Sequence, residues 1–475
     1  MITQRFPFAL SYWTVDRAET TTLWAGEHFR FDLDALNNFC LGGMPRHLVD
    51  LLRIASAVYV VDRLVKRRPK DGPKPAARTI GLKVEVFQDS LWNRHEVRDA
   101  LRDAVEFVTG DFWDIEFKRD WQEYKWPTNF LPFAKADGSP LICLYSGGLD
   151  SVAGLVARLN ENSARPVIPV TVWHQPRQRH LVQQQYNFLR GHYRSKGFGT
   201  QIEPLIVKVA MMWKTAAEEK NQETSQRSRS FLFTALGAIT AVVHGQRVVE
   251  MFESGIGAIN LPLMAGMVGW KTTKSSHPEF LRRMSRLVSL VADREVNFVL
   301  PFRDSTKGEL VKALSNPELQ PLAAMSVSCV HHPIRHKKYK QCGLCPACIF
   351  RRAALWVAGI QEPEDAYGYD FLGPAEGMDT VPEERLAYLK AFLLQVAHLR
   401  NIERHDRLPP AIERHLVGTG ILAKGQSQKG VMQLLVRYRD EWMQIVSAVC
   451  KRGHAWAKLL APQRLATEGA THASA

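Results

Sequence analysis

Leu141-Ile142-Cys143-Leu144-Tyr145-Ser146-Gly147-Gly148-Leu149-Asp150-Ser151 runs from an apolar segment into a glycine pair flanked by hydroxyls and a carboxylate. Val152 to Leu159, immediately after it, has the pattern of a helix. A buried strand, a glycine turn and a helix start, in that order, form a phosphate-binding device. The glycines let the backbone approach an anion closely, and the N–H groups of the first helical turn point at it. Ser146 and Ser151 offer hydroxyl donors, and Asp150 has the chemistry to hold a metal ion or orient a phosphate. A tight strand-to-helix turn without a ligand is the plainer alternative. The combination on this frame predicts a nucleotide site.

From Pro140 to about Gly359 the expected order is β-α-β-α-β-α-β. Strands are expected at Leu141–Tyr145, Val167–Trp173, Ile202–Val209 and Arg247–Glu253, with helices near Val152–Leu159, Leu181–Lys196 and Phe231–His244. Such alternation predicts a parallel sheet covered by helices, with ligands beyond the carboxyl ends of the strands. Upstream, Arg46 to Val65 and Asn93 to Val108 read as helices, Arg78 to Gln88 and Phe112 to Phe117 as strands. Lys66 to Pro75 is proline- and glycine-rich and reads as a solvated loop. After Glu362 helices dominate, clearest at Pro382–Asn401 and Met432–Lys451, and Ala466–Ala475 reads as a frayed tail. We therefore expect three domains, at 1–135, 136–362 and 363–475.

That division suits a chain of 475 residues, which exceeds one ordinary core. Apolar residues make up 45% and charged residues 23%, a globular balance. Met1–Leu10 is no secretory signal, and no run approaches the roughly 18–20 apolar residues of a membrane span. A formal net charge of +14 favours an acidic partner or polyanionic ligands without choosing among RNA, DNA, acidic protein and nucleotide phosphates.

Three of the seven cysteines form Cys342-x-x-Cys345-x-x-Cys348, and Cys329 lies close upstream. This usage favours metal binding in a reducing cytoplasm over disulfides. Zn²⁺ takes four tetrahedral sulfur or nitrogen ligands, and a closed four-thiolate set leaves no position for substrate, so the expected role is structural. A redox-active cysteine pair and an iron–sulfur cluster are the alternatives. His331, His332 and His336 each have the chemistry to replace one thiolate.

Ser146–Ser151 resembles the pyrophosphate loop of the N-type ATP pyrophosphatases, which split ATP into AMP and pyrophosphate. Taken with Ser328-Cys329 and Cys342-Gly343-Leu344-Cys345-Pro346-Ala347-Cys348-Ile349-Phe350-Arg351, the sequence resembles the 7-cyano-7-deazaguanine synthase family, QueC. Gln178-Arg179-His180 looks like that family's Gln-Arg-His segment. Arg227-Ser228-Arg229-Ser230-Phe231 resembles its Pro-x-Arg-Asn-x helix entry, with Ser230 where Asn is usual. Thr306-Lys307-Gly308-Glu309-Leu310-Val311 is similar to its Thr-Lys-x-Glu-ϕ-Val helix start. The resemblance spans about residues 140–360. Within it, Glu253–Asn260 does not match the family's acidic pattern, and Ser276–Phe280 only partly echoes its Tyr-Pro-Asp-Cys-Arg.

The resemblance implies an α/β fold whose parallel sheet is of the adenine nucleotide α-hydrolase-like kind. A four-cysteine zinc subdomain belongs to it, with an N-terminal α+β module and a C-terminal helical module flanking it. It implies that Ser146, Gly147, Gly148, Leu149, Asp150, Ser151, Arg179 and His180 bind ATP with Mg²⁺. Ser146, Asp150, Arg229 and Lys307 would carry the chemistry, and Cys329, Cys342, Cys345 and Cys348 would hold Zn²⁺. The implied reaction adenylates a 7-carboxy-7-deazaguanine-type carboxylate and transfers it to an amine. The added modules look like the QueC-like proteins of antiphage defence, QatC in particular. That setting implies a cytoplasmic protein whose partners are ATP, a deazaguanine-type small molecule and a protein docking on the terminal modules. Three alternatives stay open. One is a stand-alone synthase using ammonia, and one is a non-catalytic nucleotide-binding subunit. The third is a tRNA-modifying enzyme, gripping phosphates with the basic runs Lys66–Lys70 and Arg335–Lys340.

Overall fold

The computed structural model of the chain describes residues 8–452 apart from 16, 32–35, 37–42, 68–76, 123–138, 163, 174–175, 198–200, 213–221, 264–273, 333, 335–338, 374–380, 382, 401, 403–406 and 423–427. The frayed tail, most of both basic runs and His336 therefore lie outside the described residues. Two compact units interleave along the sequence: Met1–Ser146, Glu161–Phe252 and Gly269–Pro301 form the first, and Gly147–Asn160, Glu253–Val268 and Phe302–Ala475 the second.

Among the described residues, ten strands belong to the first unit: β1 (Ala9–Thr14), β2 (Arg17–Trp24), β3 (Phe29–Phe31), β4 (Thr79–Val86), β5 (Phe112–Arg119), β6 (Leu141–Leu144), β7 (Val167–Trp173), β8 (Leu205–Met211), β9 (Val248–Met251) and β10 (Asn297–Val299). One sheet has the order β2-β1-β4-β5, the other β10-β9-β6-β7-β8-β3. In the larger sheet β10, β9, β6, β7 and β8 run parallel, with Ile142 opposite Ile168 on one side and Val249 on the other. β3, from the N-terminal stretch, adds an antiparallel edge against β8. The four expected parallel strands are present, although β8 begins at Leu205 and Ile202 makes only an isolated bridge to Val167. β3 and β10 have three residues each, too few for a periodicity to register.

The β4 and β5 strands pair in parallel across helix His95–Thr109, a βαβ unit. Helix Arg46–Leu64 is apolar on nearly every side because it packs against both β4 and helix Arg229–Val243. Its two buried aspartates are paired. Asp50 accepts the N–H groups of Phe87 (2.7 Å) and Gln88 (2.9 Å), and burial pushes its carboxyl up to about 6. Asp62 accepts from Arg78 and from the Ser228 hydroxyl.

Arg67 corrects one expectation. Lys66–Lys70 is expected as part of a solvated loop, or in the RNA alternative as phosphate contacts, yet the Arg67 side chain is only 6% exposed and pairs with Asp111 and Glu223. A guanidinium already held by two buried carboxylates has no open face for a nucleic acid.

The second unit is helical: Leu149–Glu161 (Glu161 itself falls in the first unit), Gly255–Ile259, Lys307–Val311, Gln320–Met325, Pro346–Val357, Ala387–His398, Pro410–Gly418 and Lys429–Lys451. Its core gathers Ile349, Phe371, Leu389, Phe392, Leu435, Trp442 and Ile445, with the Phe392 and Trp442 rings 5.4 Å apart. The helix expected from Pro382 is shorter, because Glu383–Leu386 forms a tighter 3₁₀ turn before Ala387. No helix among the described residues is long and apolar enough to cross a membrane.

Candidate functional site

β6 ends in a hydrogen-bonded aromatic cluster of the first unit. Tyr145 N–H donates to Val170 O (2.8 Å), the Thr171 hydroxyl donates to Tyr145 O (2.7 Å), and Tyr145 OH meets Gln185 (2.8 Å). These bonds fix the backbone at the residue before the loop. The chain then passes from the first unit to the second between Ser146 and Gly147. Gly147 adopts φ +79°, the left-handed region that a side chain resists. Leu149 opens the following helix, fully buried, with Asp150 and Ser151 in its first turn. Ser146 is exposed and Ser151 buried.

Within the second unit the chain brings Asp150 and Lys307 together, though 157 positions separate them. Lys307 Nζ donates to Asp150 Oδ2, and the two side chains are 8% and 14% exposed. The ammonium also lies 4.9 Å from the Phe350 ring centre, a cation–π placement. Asp150 Oδ1 is buried and has no hydrogen-bond partner. An orphaned carboxylate oxygen beside a lysine is what a Mg²⁺ ion or its bound water would complete, so the residues fit the expected metal.

Thr306 prepares Lys307 through a capping box. Its Oγ1 accepts the Glu309 N–H at 3.0 Å, and Glu309 Oε2 accepts the Thr306 N–H at 2.8 Å. The similarity in this stretch thus includes a helix start with a physical reason for its threonine and glutamate. Ser276–Phe280 also contains a cap: His277 Nδ1 accepts the Glu279 N–H at 3.2 Å, and Pro278 occupies the first helical turn. Likewise Ser254 Oγ accepts the Gly257 N–H at 3.3 Å in the stretch that departs from the acidic pattern.

The remaining candidates belong to the first unit. Arg179 and His180 are exposed on the first turns of helix Pro176–Ser195, where Arg179 lies 5.6 Å from the Trp173 ring centre. Arg229 opens helix Arg229–Val243; burial holds its guanidinium below its usual value, with Tyr59 beside it opposing that effect.

Cys329, Cys342, Cys345 and Cys348 converge in the second unit, their sulfurs all within 4.8 Å of one another. No histidine joins this group among the described residues. Cys342 and Cys348 sulfurs are 3.9 Å apart. A tetrahedral ion with Zn–S bonds of about 2.3 Å spaces its sulfurs by about 3.8 Å, so the set suits one Zn²⁺. An iron–sulfur cluster would spread its thiolates around several irons.

Backbone donors prepare the thiolates: Cys342 N–H points at Cys329 Sγ (3.4 Å) and Cys345 N–H at Cys342 Sγ (3.3 Å). The Cys342 thiol is pushed well below its usual range by hydrogen bonds from the Cys329, Cys345 and Cys348 thiols. Gln341 accepts the Cys329 N–H and donates to Ser326 O. Arg351, 1% exposed, donates to Ser326 Oγ, Ala323 O and Glu362. Cys348, Phe350 and Arg351 share helix Pro346–Val357, so one helix carries both a member of the cysteine cluster and the ring beside Lys307.

The family described as QueC, Queuosine biosynthesis protein QueC, matches residues 268–359, which include Lys307 and all four cysteines. This segment is QueC-like. The chain is also similar to a 7-cyano-7-deazaguanine synthase of Methanococcus maripaludis, 28% identical over 117 residues, or 24% of this chain and 50% of that protein. The chain thus spans about half the length of the curated relative it matches.

Proposed function

We propose that the chain is an ATP-dependent C–N ligase or synthase, forming AMP and pyrophosphate. The observation that carries this reading is the buried Lys307–Asp150 pair, with Asp150 in the first helical turn after Gly147-Gly148 and its Oδ1 left unpartnered. The QueC-like segment supports a 7-carboxy-7-deazaguanine-type substrate. A carboxylate is a poor electrophile. Its oxygen attacks the α-phosphorus of ATP, the α–β P–O bond breaks, and pyrophosphate departs with the bond's electron pair. An amine then attacks the acyl carbon, loses a proton, and AMP leaves. Mg²⁺, when held by Asp150, would neutralise phosphate charge. Lys307 would place its ammonium against the departing pyrophosphate, and the loop from Ser146 to Ser151 would bind that group through backbone N–H donors. Arg179, His180 and Arg229 would steady phosphate or substrate carboxylate.

On this reading the cysteine site holds a structural Zn²⁺, and the protein works in the cytoplasm. The divisions at 135 and 362 separate the catalytic domain from terminal modules. Those modules would present a protein amine as acceptor, as in a QatC-like defence system; the helical region beyond residue 359, outside the matched segment, favours that acceptor over ammonia.

The test is product analysis of ATP turnover with Mg²⁺ and 7-carboxy-7-deazaguanine, with and without ammonia. Substrate-dependent AMP and pyrophosphate, lost in Asp150→Ala, is the expected result. ADP and phosphate as products would refute the adenylation reading. Turnover that starts only when RNA is added would move the substrate to tRNA, and ATP binding without turnover would leave a nucleotide-binding subunit.

A further inference from the structure

Helix Lys429–Lys451 grips the turn that carries Lys307, and the proposed chemistry does not account for that grip. With the Glu309 N–H on its oxygen, the Thr306 hydroxyl still has its own proton to place, and it donates this to Glu441 Oε1. One turn earlier on the same helix, Arg437 Nε sits 2.9 Å from Glu309 Oε1. Both members of the capping box are therefore held from one outside helix. The approach is close: a Cβ on Gly308 would lie 2.6 Å from Glu441 Oε1 and 2.8 Å from Val357 Cγ1. Gly308 follows Lys307 directly, so any larger residue there would push the Glu441 carboxylate aside. Glu441 itself lies outside the QueC-like segment of residues 268–359.

We propose that Glu441 is a positioning residue, which fixes the first turn of Lys307–Val311 through Thr306 Oγ1 and so holds Lys307 Nζ on Asp150. The chain of contacts is short and made of stiff parts. The carboxylate orients a β-branched side chain with few rotamers, the capped turn sets the Lys307 backbone, and Phe350 limits where the ammonium swings. A helix of five residues has little stability of its own, so its geometry depends on what clamps it. The catalytic consequence, though not the geometry, rests on the ATP chemistry proposed above.

The experiment uses the full chain, as parent and as Glu441→Ala, Glu441→Gln, Lys307→Ala and the Lys307→Ala/Glu441→Ala double variant, well below each Tm. Lys307 reactivity is measured by competitive acetylation with acetic anhydride and mass spectrometry, and AMP formation is followed in parallel. Glu441→Ala should raise Lys307 acetylation about tenfold, and Glu441→Gln should restore most of the protection because its amide oxygen still accepts from Thr306. AMP-forming kcat should fall about tenfold in Glu441→Ala with KM for ATP within about twofold, and the effect should vanish in the Lys307→Ala background. Unchanged acetylation in Glu441→Ala overturns the proposal, as does an undiminished effect on kcat without Lys307. Should the parent form no AMP, the ATP reading fails while acetylation still decides the role of Glu441.

Discussion

Replacing Lys307 by methionine isolates the charge at the centre of the candidate site. Methionine keeps the length and apolar stem of lysine, so packing on Phe350 survives and the ammonium alone is lost. Asp150 would then hold a carboxylate that is 14% exposed, with one oxygen already unpartnered and the other newly so. Breaking a buried ion pair on one side costs about 3–5 kcal/mol. Asp150 stands in the first turn of a helix, where the backbone dipole returns up to about 1 kcal/mol to a negative charge. The net expectation is a loss of about 3 kcal/mol. With a urea m-value of about 3 kcal/mol per M, the midpoint falls by about 1 M. Urea unfolding followed by tryptophan fluorescence, with Trp442 in the helical core as reporter, reads this directly. The decisive comparison is Lys307→Met/Asp150→Asn, which removes both charges and should recover at least about half of the loss, since no charge then stays buried alone. A double variant as unstable as Lys307→Met, or a single variant within about 0.5 kcal/mol of the parent, would show that the pair does not act as a buried ion pair.

Other expectations concern the frame around that pair. Chain purified under reducing conditions should carry one zinc ion by elemental analysis, and Cys345→Ser or Cys348→Ser should lose most of it together with thermal stability. Gly343→Ala should lower both zinc content and Tm, because Gly343 has φ +86° and a Cβ there would lie 1.7 Å from Tyr369 O. Burial raises Glu441 from the usual 4.5 to about 7, with Glu309 adding to the rise and Thr306, Lys312 and Arg437 opposing it. An acid with a raised folded-state value stabilises most below about pH 4.5, and the contribution is lost as pH climbs through about 7. Glu441→Gln should flatten that slope in pH-dependent unfolding and exceed the parent at pH 8 by up to about 3 kcal/mol. Arg351→Met should be costlier than any surface arginine change, by about 3–5 kcal/mol in urea unfolding, because it strands the Glu362 carboxylate, itself 3% exposed.

Features that repeat over many residues, or that depend on a special residue, were legible in the chain alone. The parallel strands from Leu141 to Met251 are runs of buried apolar residues between helical periods, and Ser146–Ser151 announces its turn through glycine. Gly147 bears this out with its positive φ. The four cysteines were legible because thiolates spaced two residues apart have few other uses, and they do converge. Boundaries drifted by a few residues where caps and 3₁₀ turns, rather than periodicity, end the element.

Long-range packing settled the rest. Arg67 looked like one cation in a basic run, and distant Asp111 and Glu223 turned it into a buried partner. Lys307 stood out by resemblance, but nothing local names Asp150 as its partner or leaves Asp150 Oδ1 without one. Glu441 had no signal at all, being one acidic residue on an amphipathic helix until that helix packs against Thr306. Local pattern sets backbone conformation through a few neighbouring residues, whereas the partner of a buried charge is chosen by whichever distant side chain the packed core brings within hydrogen-bond reach.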